Sequence, residues 1–298
     1  MNNGIIKELP PRFRRIYVSF HACKVGFIAS CRPIIVLDRC FLKSHFGGHL
    51  LSAIGRDGDD GMFPIAMAIV EAENRESWTW FMFQLLNDMC GVDPTNIVFI
   101  SDMQKGLVQT FEDLLPYTEH RFCLKHLNEN FKKHWKGKHY QDMLWQAAHA
   151  TTVCQFEKVM KKLEKTEDGK AYQYLKRLKP SSWTKSHFSF KAKTDVLVNN
   201  ISECFNAYIL QERELPIISL IEGIQTKLMK RLYMKKTGME AYADKITPNI
   251  KKRLERIKAN SRDCVPTPAG SKKFEVKCKG KNVTVELEAR SFSCRLWG

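Results

Sequence analysis

No stretch of this 298-residue chain reaches the run of about 18 apolar residues that a membrane-spanning helix requires, so no membrane span is expected. The basic N-terminus, with Lys7, Arg12, Arg14 and Arg15, has no apolar signal core followed by a cleavage site. Ten cysteines (Cys23, Cys31, Cys40, Cys90, Cys123, Cys154, Cys204, Cys264, Cys278 and Cys294) are scattered without a CxxC pair. Together these absences predict an intracellular chain with reduced thiols. There is no internal repeat and no low-complexity tract. Acidic residues are in short supply, 32 against 48 basic, which leaves a net charge of +16. Such a surplus favours a polyanionic partner, most often nucleic acid, through phosphate contacts and counterion release. The plainer alternative is a basic surface that only aids solubility. A hydrophobic content of 44% allows a real core and argues against global disorder.

What is present begins with a regular pattern from Arg32. Pro33–Leu42 reads as a strand, Gly47-Gly48 as a turn, His49–Gly55 as a second strand and Met62–Ala72 as a third. The segment Arg56-Asp57-Gly58-Asp59-Asp60-Gly61 is a hairpin signal with Asp-Gly chemistry twice over. Trp78, Phe81, Met82 and Leu85 recur at helical spacing after Asn74. Asn96–Ser101 reads as a strand, Lys105–Leu115 as a helix and Glu119–Leu124 as a further strand. The order β-β-β-α-β-α-β predicts an α/β fold, a mixed sheet with helices on its faces. Residues 127–194 are rich in Lys, His, Trp and Gln and read as a helical insertion. Residues 195–232 resume helix, with Asn199–Gln211 and Leu215–Leu232, and complete the core. Residues 233–298 comprise a basic arm and a closing hairpin, Phe274–Cys278 with Val283–Leu287. Residues 1–31 form a lead-in, basic and then amphipathic around Phe20 to Ile28.

Two of these strands end on acids: Ile34-Ile35-Val36-Leu37-Asp38 and Ile97-Val98-Phe99-Ile100-Ser101-Asp102. An acid beside a buried apolar run is costly unless paired, hydrogen-bonded or metal-bound. In a β-β-β-α-β unit the fourth strand commonly lies parallel beside the first, bringing Asp38 and Asp102 together. Like charges so close repel unless a cation neutralises them, and Mg²⁺ suits carboxylate oxygens and phosphate substrates. The best third acid is Glu203, on the helix after the insertion. Plainer roles stay open: Asp102 as a helix cap and Glu203 as an acid complementing a helix dipole.

The segment Arg32 through His126 resembles the catalytic core of Mutator-like element (MULE) transposases of plants. The stretches that carry the resemblance are Gly47-Gly48-His49-Leu50-Leu51, Phe63-Pro64-Ile65-Ala66, Val70-Glu71-Ala72-Glu73-Asn74, Ser77-Trp78-Thr79-Trp80-Phe81 and Ile100-Ser101-Asp102. Asn199-Asn200-Ile201-Ser202-Glu203 with Asn206, Arg213 and Pro216 looks like that family's later acidic motif. The resemblance implies a ribonuclease H-like fold, with a helical insertion before the last catalytic helix. It also implies a DDE triad of Asp38, Asp102 and Glu203 holding Mg²⁺ or Mn²⁺ for DNA strand cleavage and transfer. Cys123-Leu124-Lys125-His126 matches the family's Cys/Asp-x-x-His element. Two ligands do not close a zinc site, so Cys123 and His126 are expected near the site and no zinc is expected.

Three departures qualify the resemblance. Arg39 follows the first acid where relatives often carry Gly, and either competes with metal or points away. No N-terminal DNA-reading region precedes residue 30. The C-terminus, through Phe292 and Cys294, looks like the entrance to a SWIM zinc finger with one ligand left. The expectation is a catalytic core without its DNA-reading ends: a truncated or inactive copy, or else a domesticated DNA-binding or transcriptional regulator without catalysis. A ribonuclease H-like nuclease without transposition shares the same metal site. DNA contacts fall to Lys132, Lys133, Trp135 and Lys136 in the insertion and to Lys251, Lys252 and Arg253 in the arm, where cations interleave with aromatics. The same clusters resemble nuclear localisation signals, which with the resemblance implies a nuclear protein acting on element ends and target DNA, as a homo-oligomer.

Overall fold

A computed structural model describes residues 13–293, apart from 46, 167, 168, 191, 279 and 280. The SWIM-like remnant at Cys294 lies outside the described residues. The chain forms a mixed α/β core around a six-stranded mixed sheet, ordered β1-β4-β3-β2-β5-β6. The strands are β1 (Arg15–Ser19), β2 (Arg32–Phe41), β3 (His49–Arg56), β4 (Met62–Val70), β5 (Val98–Ser101) and β6 (Glu119–Phe122). β2, β3 and β4 make the antiparallel meander, and β5 and β6 continue it in parallel.

Several boundaries differ from the sequence reading. The lead-in is structured: β1 pairs antiparallel with β4, and α1 (His21–Ser30) follows it. The alternating apolar side chains of Arg15–Ser19 are few and only half buried, so their strand signal is weak. Pro94–Asn96 is a 3₁₀ turn capped by Asp93, which shortens β5. β6 stops at Phe122 because Leu124 already begins α4 (Leu124–Lys132).

The sheet is covered on both faces. α2 (Arg75–Asp88) is capped by Asn74, whose side chain accepts from Ser77 N, and buries Trp78, Phe81, Met82 and Leu85. α3 (Lys105–Leu114) crosses α2 closely: a Cβ on Gly106 would lie 2.6 Å from the Arg75 backbone nitrogen. A second apolar core joins α4 to α5 (Lys138–His149), α6 (Val153–Glu164) and α7 (Lys170–Lys176), around Leu127, Leu144, Leu163, Leu175 and Trp183.

The chain then returns to the sheet. α8 (Asn200–Tyr208) and α9 (Ile217–Glu240) add Phe205, Ile209, Leu220 and Ile224 to the first core. Arg213 fastens this return: its Nε and Nη2 donate to the Phe41 carbonyl at 2.8 and 2.6 Å, and its own carbonyl accepts from Lys43 N. The end of β2 is thereby tied to the segment that follows α8.

α10 (Pro248–Asn260) has no buried residue. It leads into a four-stranded antiparallel sheet of β7 (Cys264–Gly270), β8 (Lys273–Cys278), β9 (Lys281–Glu286) and β10 (Ser291–Phe292), larger than the expected hairpin. The expectation of reduced thiols is corrected at one pair. Cys264 and Cys278 stand opposite each other on β7 and β8 and are joined by a disulfide. Their 14-residue separation hides the pairing from any CxxC search.

Candidate metal centre between β2 and β5

β2 and β5 run side by side in parallel, with Ile34, Ile35 and Val36 opposite Val98, Phe99 and Ile100. The same offset carried two residues further sets Asp38 beside Asp102. Asp102 directly follows β5, but β2 does not end on its acid: Asp38 lies within the strand, just beyond the part paired with β5, and Arg39, Cys40 and Phe41 still pair with β3. The apolar residues before each acid are fully buried strand core, so the register, and with it the approach of the acids, is fixed by packing.

Asp38 faces α8. Asn206 Nδ2 donates to its Oδ2 at 3.1 Å, and the Ser202 hydroxyl also hydrogen-bonds to the carboxylate. Ser202 and Asn206 are four residues apart, on one helical face. Ser202 is itself held by Asn199, the N-cap of α8, whose Oδ1 accepts from Ser202 N at 3.2 Å. Burial pushes the Asp38 carboxyl above the ordinary range, and the Asp102 charge adds to the rise. The Ser202 hydroxyl, the Arg39 backbone and the His126 charge only partly offset it.

Asp102 does not cap the next helix. Gln104 does, its side chain accepting from Leu107 N at 2.7 Å, while Asp102 Oδ1 accepts from Gln104 N at 3.2 Å within the loop. Glu203 lies in the first turn of α8, next to Ser202. Its carboxylate is held by Lys125 Nζ at 2.7 and 2.8 Å, with both side chains about half exposed. Among the described residues no group of three or more His, Cys, Asp or Glu side chains stands in a metal-holding arrangement. Asp38 and Asp102 are thus brought together, while Glu203 is turned to Lys125.

The residues nevertheless fit a hard divalent cation in kind. Asn206 Oδ1, beside Asp38, is buried and makes no hydrogen bond with a described residue. An orphaned acceptor next to two carboxylates is a site that wants a cation or its hydration water.

Cys123 and His126 flank the acids. Cys123 is fully buried; its backbone N donates to the Ser101 carbonyl at 2.7 Å, and its Sγ accepts from Asn199 N at 3.3 Å. It therefore ties β5, β6 and the start of α8 together. The two side chains hydrogen-bond to one another. That contact draws the thiol below its ordinary range against burial, and holds the imidazole up at about 9. A charged His126 supplies positive potential to both Asp38 and Asp102.

Arg39 points away from Asp38, because successive strand residues face opposite sides. Its Nε bonds Glu73 Oε2 at 2.6 Å, and its guanidinium lies 4.1 Å over the Phe41 ring. The sequence reading missed Glu73 as a neighbour of the site. Burial pushes its carboxyl up, and Asp102 adds to the rise against the Arg39 charge. Trp78 Nε1 donates to it at 3.3 Å. The Glu71-Ala72-Glu73 run after a greasy strand was the available signal.

The expected nucleic-acid contacts divide. Lys132, Lys133 and Lys136 are exposed at the end of α4. Trp135 packs between Phe131 and Tyr174, with ring centroids 4.8 and 5.3 Å away. Lys251 pairs with Asp244 at 2.6 Å, Arg253 with Asp60 at 3.0 Å, and Lys252 is exposed.

Residues 34–130 match the family model of the MULE transposase domain. The match spans about a third of the chain and contains Asp38, Asp102, Cys123 and His126; Glu203 lies beyond it. No curated protein matches the chain. The domain match supports a transposase-related function, and with it DNA binding in general. Among the described residues no helix is long and apolar enough to cross a membrane.

Proposed function

We propose that this MULE-type core is a DDE transposase centre that cleaves and joins DNA strands with Mg²⁺ or Mn²⁺, in a ribonuclease H-like fold. The observation that carries the reading is the Asp38–Asp102 pair on the neighbouring parallel strands β2 and β5, with an orphaned amide oxygen beside Asp38. The strand order, an antiparallel meander extended by two parallel strands, is compatible with that fold class. Asp38 and Asp102 would hold the metal, with Glu203 completing its shell. When bound, the metal supplies Lewis-acid stabilisation of a phosphoryl group and an activated nucleophile.

The chain's own residues divide the remaining work. Asn206 and Ser202 orient the Asp38 carboxylate. His126, charged at neutral pH, lowers the repulsion between the two acids before substrate and metal arrive. Lys125 neutralises Glu203, so Glu203 would be available to a metal only in competition with this ion pair. Arg39 is kept off Asp38 by Glu73. Nuclear residence and assembly as an oligomer on paired DNA ends belong to the same proposal.

The direct test is nicking of supercoiled plasmid in Mg²⁺ or Mn²⁺ by the wild type and by Asp102→Ala. Loss of metal-dependent nicking in the variant is expected, and undiminished nicking overturns the assignment.

A second expectation concerns Lys125. Its half-exposed pair with Glu203 contributes little to stability, about 0–1 kcal/mol. Lys125→Met should leave the melting temperature nearly unchanged. It should tighten Mn²⁺ binding by up to about fivefold, because the ammonium no longer competes for Glu203. Weaker binding in calorimetry would show that Lys125 supports the site rather than competing for it.

A further inference from the structure

At the opposite end of β2 lies a cavity of about 660 Å³, within the size range of pockets that enclose small ligands. It is bounded by the β3–β4 turn, by α5, by the extended segment 195–198 and by α10. Five of its lining side chains are cationic (Arg56, Lys185, Lys252, Arg253 and Arg256) against two carboxylates, Asp60 and Asp195.

The pairing of these charges is lopsided. Asp60 alone faces three guanidiniums, Arg32 and Arg56 at 3.6 Å and Arg253 at 3.0 Å. Asp195 pairs with Lys185 at 2.6 Å. Lys252 and Arg256, one helical turn apart, make no hydrogen bond or ion pair with a described residue. Positive charge is therefore concentrated and under-compensated along an open concavity, an arrangement that attracts anions.

Placement of α10 points the same way. A helix without a buried residue is not held by apolar packing. Its N-terminus is instead fastened to the β3–β4 turn: Asn249 N donates to Asp59 Oδ1 at 2.8 Å, its Nδ2 donates to Asp59 Oδ2 at 2.9 Å, and Thr247 Oγ1 donates to the Gly58 carbonyl at 3.1 Å. These bonds hold Lys252 and Arg256 over the cavity. Opposite them, Trp145 and His149 stack with centroids 5.6 Å apart and planes at 23°. Cations along one wall and an aromatic platform on another are what a single nucleic-acid strand requires, because its unpaired bases have free faces to stack. A duplex hides those faces.

From this we infer a second nucleic-acid site, separate from the acids. The cavity takes an unpaired stretch of DNA strand, its phosphates on Lys252 and Arg256 and a base on Trp145. Arg32, the β2 partner of Arg56, lies six residues before Asp38, about 20 Å along the strand at about 3.3 Å per residue. The segment from Asp195 to Asn199 runs from the cavity to the N-cap of the helix that contacts Asp38. The inference rests on the DNA reading for its class of ligand, but not on catalysis.

The test is anisotropy of a labelled single-stranded oligonucleotide, and of its duplex, with the full chain in EDTA. Lys252→Glu/Arg256→Glu should weaken single-strand binding more than tenfold. It should also lower the slope of log affinity against log salt by about 1.4, the release expected for two single-strand phosphates. Trp145→Leu, which retains apolar volume, should weaken single-strand binding about fivefold or more with the salt slope unchanged. Lys161→Glu/Lys162→Glu, exposed on α6, is the control for net charge. If the cavity variants bind like that control, the inference is overturned. If the wild type binds no nucleic acid at all, the DNA reading itself falls.

Discussion

Asp38→Asn is expected to abolish metal-dependent strand cleavage while raising the melting temperature of the metal-free protein. The two effects have one cause. Asp38 is a carboxylate beside a second carboxylate, in a setting where burial raises its pKa above 3.8. The folded chain therefore holds this proton more tightly than the unfolded chain. Its contribution to stability is fully present below pH 3.8 and is lost as pH rises through the higher folded value. At neutral pH the ionised group is a burden that asparagine removes. Asn206 and Ser202 can still bond an amide at that position. Each kcal/mol gained raises the melting temperature by about 2–4 °C.

The same charge is what a cation needs. Saturating Mg²⁺ or Mn²⁺ should stabilise the wild type, by about 2.7 kcal/mol at a hundredfold excess over its dissociation constant, and Asp38→Asn should abolish that increment. Cleavage should fall by at least about 10²–10³-fold, the loss typical when one group that stabilises developing charge is removed. Thermal melts with and without metal, alongside a nicking assay, decide it. A variant that still nicks with metal, or that melts lower without it, removes Asp38 from this role.

The second large effect is structural. Arg121 on β6 is 1% exposed. Its Nε donates to Glu119 Oε1 at 2.8 Å, its Nη1 donates to the Thr194 carbonyl at 2.9 Å, and its guanidinium lies 3.7 Å from the centroid of the Phe188 ring. Glu119 in turn accepts from Ser189 N at 3.2 Å. This one side chain fastens residues 188–194, the chain's way back from the second core, to the edge of the sheet.

Arg121→Ala leaves Glu119, 13% exposed, without its cation and Thr194 without its donor. Breaking a buried pair in this way costs about 3–5 kcal/mol. The melting temperature should fall by roughly 6–20 °C, whereas exposed Arg177→Ala should change it little. Arg121→Met with Glu119→Gln should recover part of the loss, because no charge is then stranded. Cleavage should suffer as well, since the loosened segment leads directly into Asn199 and α8. A fall no greater than that of Arg177→Ala would deny Arg121 its anchoring role.

Much of the core was legible in the sequence for identifiable reasons. The meander from Arg32 onward announced itself through unbroken apolar strands and an Asp-Gly turn. The 64-residue separation of Asp38 and Asp102 equals the offset of β2 on β5, where Ile34 stands opposite Val98 and Val36 opposite Ile100. Arg39 could be assigned a direction only once Glu73 was in place on the opposite face. β1 was not legible, since five half-buried residues on a sheet edge carry little periodicity. The Cys264–Cys278 pairing and the basic cavity were not legible either. The disulfide depends on the register of β7 against β8, and the cavity on residues far apart in sequence.

The sequence by itself therefore determined the succession of β2 to β6 along the chain, the acids Asp38 and Asp102 after their apolar runs and the basic balance of the chain, because these follow from local pattern and composition. Only the tertiary structure decided where the third acid turns. Glu203 stands one residue from a serine that contacts Asp38, yet its carboxylate rests on Lys125. A helix turns about 100° per residue, so a neighbour in sequence faces a different partner in space.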